Sequence, residues 1–110
     1  MSFIYLASPY TGTHNEQEFR FQAAEKTVAQ LLRKGIMVYS PIVHCHTLAK
    51  NHDLPQGFGF WSRYNYAILS KASELRVLKL SGHSTSRGVA GEIAFAESCN
   101  IPVTFMEYQP

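Results

Sequence analysis

Short apolar runs alternate along this chain with longer stretches whose apolar residues return every three or four positions, the pattern of strands alternating with amphipathic helices. Phe3-Ile4-Tyr5-Leu6-Ala7 predicts a buried strand that stops at Ser8-Pro9. Phe19, Ala23, Ala24, Thr27, Val28, Leu31 and Leu32 then recur at helical spacing behind Thr13 or Asn15 as the cap, and Gly35 is the stop after Arg33 and Lys34. A second strand is expected at Ile36-Met37-Val38-Tyr39. Residues 40–59 hold Pro41, Pro55, Gly57, Gly59 and three histidines, and read as an irregular loop of a length that is usually functional. A helix over residues 60–72 follows. Leu75-Arg76-Val77-Leu78-Lys79-Leu80 alternates as a third strand, with Arg76 and Lys79 marking partial exposure. After a polar Gly/Ser loop at 81–87, residues 88–99 are helical in composition, Asn100 suits a left-handed stop, and Pro102-Val103-Thr104-Phe105 is a last short strand.

The order βαβαβαβ implies an α/β fold: a parallel sheet of about four to five strands between helices, a three-layer flavodoxin/Rossmann-like sandwich formed as a single domain over residues 1–110. In such folds ligands sit in a crevice at the carboxyl ends of the strands. Here that crevice belongs to the segments 8–15, 40–59 and 81–88.

Composition narrows the chemistry. At 110 residues, 45% hydrophobic and 13% aromatic, the chain is the size of one globular domain. It has no apolar run near the ~18 residues that would span a bilayer and no signal-peptide pattern, so a cytoplasmic protein that does not engage membranes is expected. The charge of +2 comes from scattered Lys and Arg residues, which argues against a nucleic-acid polymer and for a small-molecule ligand. A domain this small buries only about two-thirds of its unfolded surface, so a second subunit is expected to complete the pocket, giving a homodimer or higher homo-oligomer. Cys45 and Cys99 lack CxxC spacing, fit a reducing compartment, and read as small buried hydrophobes. The acids are seven Glu and one Asp, Asp53, which excludes any mechanism that needs two aspartates.

One carboxylate is out of place. Val89, Ile93, Phe95, Ala96 and Cys99 share one side of the last helix, and Glu92 falls inside that apolar arc. A carboxylate aimed at a core is costly unless paired, protonated or lining a cavity. Just before it, Ser84-Thr85-Ser86-Arg87-Gly88 combines hydroxyls, backbone amides and a helix N-terminus, a combination that suits an anion or a capped surface loop. Ser8-Pro9-Tyr10-Thr11-Gly12-Thr13 has the same character and would sit beside it. His44 and His46, with His52 and Asp53 nearby, supply at most two metal ligands if the segment is extended, and are read as loop histidines that bond to ligand or backbone. Trp61 offers a face either to the core or to a base.

These segments resemble the nucleoside 2-deoxyribosyltransferase-like superfamily over almost the whole chain, most closely a small bacterial and phage branch labelled a domain of unknown function. The resemblance is carried by Ile4-Tyr5-Leu6-Ala7-Ser8-Pro9-Tyr10, Ser40-Pro41-Ile42-Val43-His44, Phe60-Trp61 and, most specifically, Ser86-Arg87-Gly88-Val89-Ala90-Gly91-Glu92. It implies that Glu92 is the nucleophile on the anomeric carbon of a 2-deoxyribosyl group and that Tyr5 orients it. It also implies that Ser86 and Gly88 lie against the 5′ phosphate or hydroxyl and that Ser8, Pro9, Tyr10, Thr11 and Gly12 hold sugar or phosphate. With His44 and Trp61 these form the expected substrate site, and no metal or cofactor is called for. Where the family has an aspartate thought to protonate the leaving base, this chain has Asn65, which cannot donate that proton. A second acidic position of some relatives matches Ser73, beside Glu74. The expected activity is cleavage of the N-glycosidic bond of a 2′-deoxynucleoside or its 5′-monophosphate, by hydrolysis or transfer. The alternative is a non-catalytic nucleotide-binding module on the same fold, and a third reading is a metal-dependent protein using the histidines.

Overall fold

Among the described residues each strand is separated from the next by at least one helix, and the strands all point the same way. The computed structural model describes residues 2–55 and 57–110. In chain order the elements are β1 (Ile4–Ala7), α1 (His14–Arg33), β2 (Val38–Tyr39), α2 (Pro41–His52), α3 (Phe58–Leu69), β3 (Glu74–Leu78), α4 (Arg87–Ser98) and β4 (Val103–Met106). The four strands form one all-parallel sheet in the order β2-β1-β3-β4, with Tyr5 opposite Tyr39 and Leu75, and Leu75 opposite Val103. This is the strand order of a flavodoxin-like doubly wound sheet.

Alternation along β1 and β3 sends side chains to two cores. Tyr5, Ala7, Leu75 and Val77 pack with Leu69, Val89 and Ala96, under α3 and α4. Leu6 and Leu78 pack with Ala23 and Leu80 on the α1 side. The three-layer α/β sandwich expected from the sequence is therefore present. No helix among the described residues is long and apolar enough to cross a membrane.

Several local expectations also hold. Thr13 caps α1 through a reciprocal box with Glu16, Gly35 takes a positive φ of 80° after α1, and Asn100 takes a φ of 58° after α4. The stretch 40–59 is different from the expected loop, because most of it is α2. Ser40 Oγ accepts the Val43 N–H at 3.2 Å, Pro41 occupies the first helical turn, and left-handed Asp53 ends the helix. A proline that reads as a breaker inside a pattern is well suited to the first turn, where its missing N–H has no partner to lose. The element order is thus βαβααβαβ, with two consecutive helices between β2 and β3.

That helix changes the histidines. On an extended segment His44 and His46 would share a side; on α2 they diverge, leaving His44 exposed and His46 buried. Cys99 is exposed at the C-cap of α4 rather than buried, and Cys45 is half-buried.

Candidate active site

Because β1 and β3 are neighbours at the centre of the sheet, the loops that leave their carboxyl ends are neighbours too. Arg20 of α1 ties the two together: Nη1 donates to the Thr11 carbonyl at 2.7 Å and Nη2 to the Ser81 carbonyl at 3.1 Å. Above the loops lies a cavity of about 440 Å³. Its walls include Ser8, Pro9, Tyr10 and Thr11 after β1, Arg20 of α1, Ile42, Cys45, His46 and Ala49 of α2, Trp61 and Asn65 of α3, and Ser86, Arg87, Gly88 and Glu92 at the start of α4.

Glu92 sits in the second turn of α4, only 7% exposed, and its carboxylate lines this cavity. The Tyr5 hydroxyl, fully buried on β1, donates to Glu92 Oε2 at 2.5 Å. Among the described residues, no ion pair reaches Glu92. Burial pushes its carboxyl up to about 7, and the Tyr5 hydrogen bond holds it from rising further. The Tyr5 phenol is in turn raised, first by burial and then by the Glu92 charge, so it stays a donor. Burial and then the same charge also push the Cys45 thiol up to about 11, which keeps it protonated and a poor nucleophile.

Two buried polar atoms on the cavity wall, Ser8 Oγ and Asn65 Oδ1, have no hydrogen-bond partner among the described residues. Buried polar groups are rarely left so, and both are available to a ligand. The Tyr10 hydroxyl, in the loop after β1, meets Nδ1 of His46 on α2 at 2.6 Å, and Nε2 of the same ring meets Glu18 Oε1 at 3.1 Å.

Of the residues singled out by sequence, Ser8, Pro9, Tyr10, Thr11, Trp61, Asn65, Ser86, Gly88 and Glu92 all reach the cavity, and Tyr5 reaches it through Glu92. Gly12 lies outside the lining, against Glu16 and Arg20. His44 also lies outside it: its exposed ring stacks on Tyr64 at 5.4 Å and its Nε2 meets the Tyr64 hydroxyl at 2.9 Å. Glu74 starts β3 at the opposite edge of the sheet, bonded to Arg76 and Thr104, so it cannot stand in for an acid at Asn65. The histidines do not form a metal centre, since no three His, Cys, Asp or Glu side chains among the described residues come together to hold an ion. His46, read from the sequence as a loop histidine that bonds to ligand or backbone, reaches the wall from a helix instead, and Arg20 and Cys45 are wall residues that sequence reasoning did not select. Helical spacing through Ile42, Cys45, His46 and Ala49 is the signal that would have found Cys45.

Fold and cavity together define a class: a flavodoxin-like α/β domain with a ligand cavity at the carboxyl edge and a buried carboxylate in its wall. Within that class, residues 2–108 match the family described as Domain of unknown function (DUF1937), and the chain belongs to it. No curated protein matches the chain.

Proposed function

We propose that this protein cleaves the N-glycosidic bond of a 2′-deoxynucleoside or its 5′-monophosphate, with Glu92 as the nucleophile. The observation that carries this reading is a carboxylate, buried and free of any ion pair among the described residues, that lines a ligand-sized cavity and is oriented by Tyr5 at 2.5 Å. As the bond to the base breaks through an oxocarbenium-like state, the Glu92 oxygen bonds the anomeric carbon; water or a second base then resolves the covalent intermediate. The first turn of α4, with Ser86, Arg87 and Gly88, offers backbone N–H groups and positive dipole to a 5′ phosphate. Ser8 Oγ and Asn65 Oδ1 suit sugar or base groups, and Trp61 suits the base face. The resemblance to nucleoside 2-deoxyribosyltransferases supports the same roles, together with a cytoplasmic homo-oligomer.

Asn65 favours a second reading. Its unpartnered Oδ1 is a good ligand acceptor, and its amide is no acid, as a module that holds a nucleotide without cleaving it would require. Chromatographic detection of free base from a panel of 2′-deoxynucleosides and 5′-monophosphates separates the two. Base release by wild type and none by folded Glu92→Ala is the expected result. Release at the wild-type rate by Glu92→Ala would remove Glu92 from the chemistry. Thermal stabilisation by a nucleotide without turnover would establish the binding module.

A further inference from the structure

A base leaving with the electron pair of the glycosidic bond needs a proton, and Asn65 has none to give. Elsewhere on the cavity wall, serine and threonine hydroxyls and the Trp61 N–H are too weakly acidic, and Arg20 and Arg87 do not deprotonate. The Cys45 thiol has been pushed up to about 11. Tyr10 and His46 remain, and they are in contact.

Tyr10 Oη lies 2.6 Å from His46 Nδ1, and His46 Nε2 lies 3.1 Å from Glu18 Oε1, which also accepts from Lys50 Nζ at 3.3 Å. The Lys50 ammonium, with His46 behind it, holds the Glu18 carboxyl below the usual carboxylate range. An ionised Glu18 only accepts, so Nε2 carries a proton. Packing fixes the ring: His46 is 6% exposed, stacked on Phe21 at 4.3 Å, with Tyr10 edge-on at 5.6 Å. The line therefore runs from the cavity wall at Tyr10 to solvent, where Glu18 is 28% and Lys50 54% exposed.

We infer that Tyr10, His46 and Glu18 form a proton relay that protonates the leaving base, an inference that rests on the N-glycosidic reading above. With His46 doubly protonated, Nε2–H donates to Glu18 and Nδ1–H to the Tyr10 oxygen, which frees the Tyr10 O–H for a ligand. When the C–N bond breaks, its electron pair goes to the base nitrogen, and that nitrogen takes the Tyr10 proton. The Tyr10 oxygen takes the Nδ1 proton, and the anomeric carbon bonds Glu92. His46 is left neutral and regains one proton from solvent, so the relay loses one proton for each base that gains one. Burial raises the Tyr10 phenol above its usual range, so its oxygen, having given up its proton to the base, takes another from Nδ1 rather than staying ionised. Tyr10 is the catalytic residue of the relay, and Glu18 is a positioning residue acting through His46.

The test compares two leaving groups: the natural base of a 2′-deoxynucleoside 5′-monophosphate, and 4-nitrophenolate from 4-nitrophenyl 2-deoxyriboside 5-phosphate, which departs without a proton. Tyr10→Phe is expected to slow base release by roughly 10²–10⁴-fold and nitrophenolate release far less, so that the ratio of the two rates collapses. Glu18→Gln, at a partly exposed position, is expected to lower the same ratio to a smaller extent, and it serves as the test if Tyr10→Phe does not fold. Glu92→Ala slows both. An unchanged ratio in folded Tyr10→Phe, or in Glu18→Gln where Tyr10→Phe fails to fold, overturns the relay and leaves Glu92 standing. Nitrophenolate release without base release by wild type also overturns the relay alone, whereas release of neither overturns both readings.

Discussion

In the proposed reaction Glu92 must lose its proton to attack, and its surroundings oppose that loss. Burial raises its carboxyl to about 7, and the Tyr5 hydroxyl is the group that pulls it back. Activity that depends on ionised Glu92 therefore rises with pH through about 7. In Tyr5→Phe the opposing hydrogen bond is gone, so the rising limb of kcat/KM moves to higher pH, while a purely structural role for Tyr5 would lower the plateau without moving the limb. The pH profiles of both proteins decide this. Glu92 was legible in the sequence because a carboxylate in the apolar arc of Val89, Ile93 and Ala96 is anomalous at helical spacing. Its bond to Tyr5 spans 87 positions and left no local trace.

At the scale of elements, α2 is the piece that sequence reasoning misread. Pro41, the glycines beyond it and three histidines look like loop chemistry, yet Ser40 and Pro41 together start a helix that brings Cys45, His46 and Ala49 to the cavity. Ser40→Ala removes the cap from Val43 N–H and is expected to cost about 1 kcal/mol of stability. Urea denaturation measures it, and ligand-induced thermal stabilisation is expected to weaken alongside because α2 forms one wall. The ends of α1 and α4 were legible, as Thr13, Gly35 and Asn100 mark them by local chemistry alone, whereas α3, expected over residues 60–72, runs from Phe58 to Leu69 because no side chain caps its start. Strand boundaries moved by a residue or two, with β2 reduced to Val38–Tyr39, because pairing partners rather than composition decide where a ladder ends.

For the whole molecule, Glu92 links the proposed activity to stability. Its carboxyl titrates near 4.5 when free and near 7 when folded, so the folded state holds the extra proton between those values. The stability of the neutral form is complete below about pH 4.5 and is lost as pH rises through about 7. Glu92→Gln has no such titration, and its stability relative to wild type is expected to improve by about 3 kcal/mol between pH 4.5 and pH 8. Chemical denaturation at both pH values checks this, and a constant difference would mean that the carboxyl is not destabilised by folding. What the sequence by itself determined was the succession of strands and helices, the parallel sheet and the edge at which the cavity lies, because burial imposes local periods of two and 3.6 on the chain. Only the tertiary structure decided which side chains meet. The strand order β2-β1-β3-β4 brings Tyr5 to Glu92, and the packing of α1 against α2 brings Glu18 to His46 and so to Tyr10. Contacts of that kind are set by how elements stack, and no local pattern in the chain encodes them.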